Sequence, residues 1–169
     1  FVRHGKTDYS EETYPIYQGI GLNMCTLSEV GVTQIENVAK DTRFQNADII
    51  ITSPYGRTLH TAGVISRSLN LDVKVETKLH EWLASKDGQW LNTEEADHCY
   101  QLFTENKGFY PDGEVCNYET VDDMKNRINE VLNKYTSYKK VIVVCHGTIM
   151  QYFLNIDHPN NGEIVEYEL

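Results

Sequence analysis

The chain has 169 residues, 40% of them hydrophobic, and a formal charge of −10. That length and content suit one globular domain over residues 1–169, burying roughly 70% of its unfolded surface. No apolar run approaches a membrane span, and the acidic balance argues against a nucleic-acid partner, so a soluble, cytoplasmic protein is expected and an anionic substrate must be drawn in by a local cluster of positive groups.

In chain order, Phe1-Val2 runs straight into Arg3-His4-Gly5, as a strand end stopping where polar chemistry begins. The chain opens without methionine, and this strand reads as truncated at its N-terminus. Residues 8–25, rich in Tyr, Gly, Asp and Ser and without a period, read as a loop. From Leu27 the pattern is helical: Thr26 and Glu29 have capping-box spacing, Ser28 is an alternative cap, and Val30, Ile35, Val38 and Ala39 make the apolar face. Ala47 to Ile51 suits a strand buried on both sides. A helix follows from near Tyr55, with Tyr55, Leu59, Ala62 and Leu69 on one face. Val73 and Val75 then alternate with polar residues, as in a strand.

Residues 80–119 are the least regular, a lid-like insertion with two tryptophans and a Pro111-Asp112-Gly113 turn. Inside it a helix from about Thr93 to Glu105 fits, capped by Asn92 with Glu95. Thr120 and Asp123 open a long amphipathic helix carrying Val121, Met124, Ile128, Val131, Leu132 and Tyr135. Val141–Cys145 reads as a strand, a helix of about two turns follows from Thr148, and Ile164 to Tyr167 alternates as a final strand. Strands alternating with helices predict an α/β fold with a mostly parallel sheet covered on both faces.

Such sheets bind ligands beyond the carboxyl ends of their strands. Arg3 and His4 follow the first strand, Arg57 the second, Glu81 the third and His146 the fourth. These residue types can transfer a phosphoryl group. His4 would attack as a neutral imidazole and form a phosphohistidine, the carbonyl of Gly5 or a neighbour fixing its tautomer. Arg3 and Arg57 would clamp phosphate oxygens, with His146 as a third donor. Glu81 would protonate the leaving oxygen and then activate water, although Glu76 and Glu95 compete for that role. His60, His80, His98 and His158 read as ordinary polar residues.

Other chemistries fit less well. A cysteine phosphatase needs an arginine six positions after its nucleophile; after Cys25, Cys99, Cys116 and Cys145 those positions hold Gly31, Glu105, Asp122 and Gln151. The cysteines show no C-x-x-C spacing and read as reduced thiols. None of the six histidines pair at helical metal-ligand spacing. Gly5-Lys6-Thr7 also matches the tail of a nucleotide-binding phosphate loop, but Phe1 and Val2 would then lie in that loop, and no apolar strand ends in the aspartate that holds magnesium.

Arg3-His4-Gly5 with Thr7, Leu27-Ser28-x-x-Gly31-x-x-Gln34, Ser53-Pro54-x-x-Arg57-x-x-x-Thr61-Ala62, Leu79-x-Glu81 and His146-Gly147 resemble, in order, the histidine phosphatase superfamily, the phosphoglycerate mutase-like family. The resemblance implies a three-layer α/β/α sandwich, no metal or cofactor, and a phosphorylated small molecule or phosphate as the bound partner. It implies Arg3, His4, Arg57 and His146 as the phosphate pocket, His4 as the phosphorylated residue and Glu81 as proton donor. It extends the phosphate-binding set to Gly5, Thr7, Ser10, Gln18, Gly19 and Gly147. Lys6, His60, Ser10 and Thr148 depart from common family residues, and Ser10 stands where a phosphate-binding asparagine is frequent. The expected activity is phosphomonoester hydrolysis, with a phosphoglycerate-type mutase or a weakly catalytic phosphate-binding protein as alternatives. The segment after the catalytic acid is acidic, with only Lys86 and Lys107 as cations, and would repel a doubly phosphorylated molecule. Trp82, Trp90, Tyr100 and Phe109 are candidates to cover an apolar remainder.

Overall fold

Two runs of β-branched residues form the centre of the sheet because neither face of either run meets water. Ile49–Thr52 (β2) is buried throughout and Val141–Cys145 (β4) at every residue but the first. They pair in parallel, Ile49 opposite Val141 and Thr52 opposite Val144. Val2–Arg3 (β1) adds to β4 and Val73–Val75 (β3) to β2, both in parallel, giving the order β1-β4-β2-β3. A computed structural model describes residues 1–10 and 19–169 of the chain.

Alternate residues of the central strands feed two separate cores, as a strand period of two requires. Ile50, Ile142 and Val144 pack with Ile35 and Ala39, from Glu29–Val38 (α1) and its cap, and with Ala62 and Ile65 of Gly56–Leu69 (α2). Ile49, Ile51, Val143 and Cys145 face the other way, onto Met124, Ile128 and Val131 of Val121–Leu132 (α4) and Ile149 and Met150 of Gly147–Leu154 (α5). Phe103 of Thr93–Glu105 (α3) joins that second core. The fold is an α/β/α sandwich. Among the described residues no helix is long and apolar enough to cross a membrane.

The predicted caps at Asn92 and Thr120 are present as full capping boxes with Glu95 and Asp123. At α1, Ser28 is the cap, accepting from Gly31 N, and the Thr26–Glu29 pairing does not form. Val30 and Leu59 lie off the buried faces of their helices. The buried side of α2 is instead Arg57, Thr58, Thr61, Ala62, Val64 and Ile65. Tyr135 is buried but belongs to a 3-10 turn, Asn133–Tyr135, after α4. All three residues of β3 are exposed, as befits an edge strand.

The expected strand Ile164–Tyr167 is reduced to a single antiparallel bridge, Val2 to Ile164, beside which Phe1 and Val165 exchange backbone bonds at 2.8 and 2.9 Å. Within the expected loop, Gly19–Met24 is a 3-10 helix.

Of the aromatic residues expected to cover a substrate, Trp82 packs on Phe103 at 5.1 Å and on Tyr100 at 5.4 Å, while Trp90 and Phe109 are exposed. The segment 78–83 is braced from beneath by a buried pair. Arg127 donates to both carboxylate oxygens of Glu119 and to the Lys78 carbonyl, and Trp82 Nε1 donates to the Glu119 carbonyl at 2.7 Å.

Candidate active site

β1 and β4 are neighbours and each is followed directly by a histidine, so their C-terminal ends bring His4 and His146 together. The ring centroids lie 5.5 Å apart, and both side chains are buried. His4 Nδ1 is 2.8 Å from the Gly5 carbonyl. A carbonyl only accepts, so Nδ1 carries the hydrogen and the lone pair of the neutral ring sits on Nε2. Burial, reinforced by the Arg57 and Arg3 charges, lowers the His4 pKa to about 3, so the ring is neutral near pH 7.

His146 Nε2 meets the Ser53 hydroxyl at 2.7 Å, and its Nδ1 is buried with no partner among the described residues. Burial first, then Arg57 and His4, holds its pKa well below the usual imidazole value. With Ser53 donating to Nε2, the ring offers Nδ1–H to an anion. Arg57 enters from the first turn of α2; its guanidinium is buried and lies 5.0 Å from the centroid of the Tyr55 ring, which itself packs 5.1 Å from His146. No side chain caps the N-terminus of α2, leaving that end of the helix open to a negative group. Arg3 projects from the end of β1, and its Nε is buried without a partner among the described residues. The charges of Glu81 and Arg57 act on it in opposite senses.

Glu81 follows β3 and a 3-10 turn, Thr77–Leu79, and reaches across to α5. Its Oε2 accepts from Thr148 N at 3.3 Å and its Oε1 from Trp82 N at 2.9 Å. Both carboxylate oxygens are thus held by backbone N–H groups, one of them two residues beyond His146. The competing carboxylates are committed elsewhere: Glu76 to Lys134 and Tyr135, and Glu95 to its own helix cap.

His4 and His146 are in ring contact, Arg57 acts electrostatically on both and Arg3 on His4, and Glu81 acts on Arg3. Among the secondary expectations, Thr7 has a buried hydroxyl without a partner among the described residues, Gly5 donates its N–H to Thr61, and Gly147 opens α5 under Arg3. Ser10 is exposed, its N–H bonded to Asp8, and Gly19 begins the 3-10 helix. Gln18 lies outside the described residues. Two surface hollows, of about 760 and 690 Å³, are lined by none of the five expected catalytic residues.

Sequence reasoning gave no role to Thr61, Ser53 or His158. Thr61 Oγ1 donates to the Arg57 carbonyl at 2.8 Å and accepts from Gly5 N at 3.1 Å, tying α2 to the His4 loop. Ser53 and Thr61 both fall within the Ser53-Pro54 to Thr61-Ala62 motif, which carried the signal. His158 stands 3.4 Å from Arg3 and had no local signal at all.

A strand-end histidine pair flanked by two guanidiniums and a carboxylate defines a phosphate-handling class of α/β protein. The family model of the histidine phosphatase superfamily (branch 1) matches residues 1–158, and the chain belongs to that superfamily. The probable phosphoglycerate mutase GpmB of Proteus mirabilis is 28% identical over 154 residues, covering 86% of this chain and 67% of that protein. The uncharacterized phosphatase PhoE of Bacillus subtilis is also 28% identical, over 90% of this chain and 73% of its own length. Among solved structures, a mycobacterial glucosyl-3-phosphoglycerate phosphatase superposes with a TM-score of 0.67 at 23% identity, covering 90% of this chain and 75% of that one. The phosphohistidine mechanism is general to the superfamily, whose members are phosphatases or mutases.

Proposed function

We propose that the chain is a phosphomonoester hydrolase in which His4 is transiently phosphorylated and Glu81 is the proton donor. The observation that carries this reading is the 2.8 Å contact between His4 Nδ1 and the Gly5 carbonyl, which leaves a lone pair on Nε2 beside Arg3, Arg57 and His146. In the first step Nε2 forms the N–P bond as the P–O ester bond breaks. The equatorial oxygens are held by both guanidiniums, by His146 Nδ1–H and by the Thr7 hydroxyl, while Glu81 gives its proton to the leaving alkoxide. In the second step Glu81 takes a proton from water as its oxygen forms a bond to phosphorus; the N–P bond breaks, inorganic phosphate leaves, and the lone pair returns to His4 Nε2. Gly5, Ser10, Gln18, Gly19 and Gly147 complete the substrate-binding set in this reading.

Relatives bear both mutase and phosphatase names, and the electrostatics of residues 80–119 favour hydrolysis. Lys86, one of two cations there, is engaged by Asp123 at 3.2 Å and lies over the Tyr110 ring. A second phosphate would therefore meet the carboxylates of the segment with little to offset them. A substrate with one phosphate and an uncharged remainder fits best. The mycobacterial glucosyl-3-phosphoglycerate phosphatase has been solved with inorganic phosphate and with VO3, and both are natural probes for this pocket. Residues 1–169 act as one catalytic unit in this reading, with 80–119 as its lid. A cytoplasmic location is supported by the four free thiols.

The test is a panel of phosphomonoesters run in chelator with wild type and His4→Ala. Turnover of at least one ester without added bisphosphoglycerate, lost by several orders of magnitude in the variant, supports hydrolysis. Strict dependence on bisphosphoglycerate would reassign the site as a mutase.

A further inference from the structure

Arg3 leaves the end of β1 into the grip of the loop that follows α5. Its Nη1 donates to the Pro159 carbonyl and lies 3.4 Å from His158 Nδ1. The same loop holds the backbone: Arg3 N donates to the Glu163 carbonyl at 3.0 Å, Gly162 N to the Arg3 carbonyl at 3.0 Å, and Asn161 Nδ2 to the His4 carbonyl at 3.0 Å. Arg3 Nε, by contrast, is buried and without a partner among the described residues. One corner of the guanidinium is therefore fixed by protein, and the edge containing Nε is left for an anion. A guanidinium has no acceptor, so His158 Nδ1 is the acceptor and the ring hydrogen sits on Nε2. Desolvation and then the adjacent Arg3 charge lower the His158 pKa against an opposing pull from Glu81, and the net lowering favours this neutral form.

Gly147 is the reason both side chains fit. A Cβ there would stand 2.4 Å from His158 Nε2 and 3.2 Å from Arg3 Cζ. Its bare Cα is the floor on which the imidazole and the guanidinium rest side by side. The same glycine follows His146, so this support and the buried histidine share one turn of chain.

We propose that His158 is a positioning residue for anion binding, its Nδ1 acting with the Pro159 carbonyl to fix the rotation of Arg3 so that the Nε edge meets the phosphate oxygens. This rests on the phosphate-pocket reading above. His158 forms no bond to the reacting phosphorus. Its loss frees the guanidinium to turn, and the ordering must then be repeated at each binding event, which weakens binding more than turnover.

The test compares wild type, His158→Ala and His158→Asn, whose amide oxygen restores an acceptor near the Nδ1 position. Orthovanadate and inorganic phosphate binding is measured by calorimetry, and KM and kcat on a hydrolysed monoester are measured separately. In His158→Ala, both dissociation constants and KM rise about fivefold, the loss of one ordinary hydrogen bond. The kcat value stays within about twofold of wild type, and His158→Asn recovers most of the affinity. Unchanged affinity in His158→Ala, an Asn variant no better than Ala, or a fall in kcat at constant KM would each overturn the assignment. Calorimetry needs no turnover, so a wild type that binds orthovanadate but hydrolyses nothing counts against the proposed hydrolase and leaves this measurement intact.

Discussion

The imidazoles of His4 and His146 meet edge to face, their centroids 5.5 Å apart, and Arg57 acts electrostatically on both. Neither ring holds a proton easily in that setting. The His4 pKa is about 3, chiefly through burial, and that of His146 lies well below 6.5 for the same first reason. The pocket therefore keeps a nucleophilic lone pair at pH values where a free histidine is already charged.

This has a pH signature in both rate and stability. The rate of His4 phosphorylation should show no inflection near pH 6.5 arising from either imidazole. In the unfolded chain both imidazoles titrate near 6.5, whereas in the folded chain they titrate lower. The unfolded state thus binds more protons as pH falls, and stability present above about pH 6.5 declines toward pH 3. The thermal midpoint of wild type should fall between pH 7.5 and pH 5, and less steeply in a His4→Gln/His146→Gln double variant. Equal slopes in the two proteins would contradict the pKa directions.

Thr61 is the bridge between the Arg57 carbonyl and Gly5 N, at 2.8 and 3.1 Å. Thr61→Val keeps the shape and removes the bridge, leaving a buried N–H next to the nucleophile unpaired. The expected loss is about 1–3 kcal/mol of stability in denaturant unfolding, with a fall in kcat/KM. Thr33→Val, at an exposed site on α1, is the control and should change neither.

Ser53 sets which nitrogen of His146 is free to donate, through its 2.7 Å contact with Nε2. Ser53→Ala should leave the fold intact and reduce kcat/KM about tenfold, the equivalent of roughly 1.4 kcal/mol of transition-state stabilisation. Steady-state kinetics beside a thermal melt make the check; a large drop in the melt with unchanged kinetics would be the opposite outcome.

Arg127 and Glu119 form a buried pair, with side-chain exposures of 9% and 5%, directly beneath the segment that carries Glu81. Removing one partner strands the other charge, so Arg127→Met should cost about 3–5 kcal/mol. Replacing both, as Arg127→Met with Glu119→Leu, should recover much of that loss. Denaturant midpoints decide the matter: a double variant no more stable than the single one would mean that the pair is not what braces the segment.

The parts of this molecule that were legible in sequence are those written locally. Ile49–Thr52 and Val141–Cys145 are continuous apolar runs, and the boxes at Asn92 and Thr120 are three-residue spacings. The meeting of His4, Arg57 and His146 was legible because each follows a strand, and parallel strands share one carboxyl edge. Val30 and Leu59 were misplaced because a helical period says which residues share a face but not which arc of it meets the sheet. Ile164–Tyr167 alternates like a strand, yet only Ile164 forms a bridge, to Val2, and alternation alone does not say how far pairing runs. His158 was the least visible, since it meets Arg3 across 155 positions, from a loop with no periodicity.

The covalent role of His4 has the most direct test. Wild type mixed with a labelled phosphomonoester and quenched within the first turnover should carry label that is stable in base and labile in acid, on the peptide containing His4, with none in His4→Ala. Turnover by wild type with no such label, or label recovered on another residue, would contradict the account.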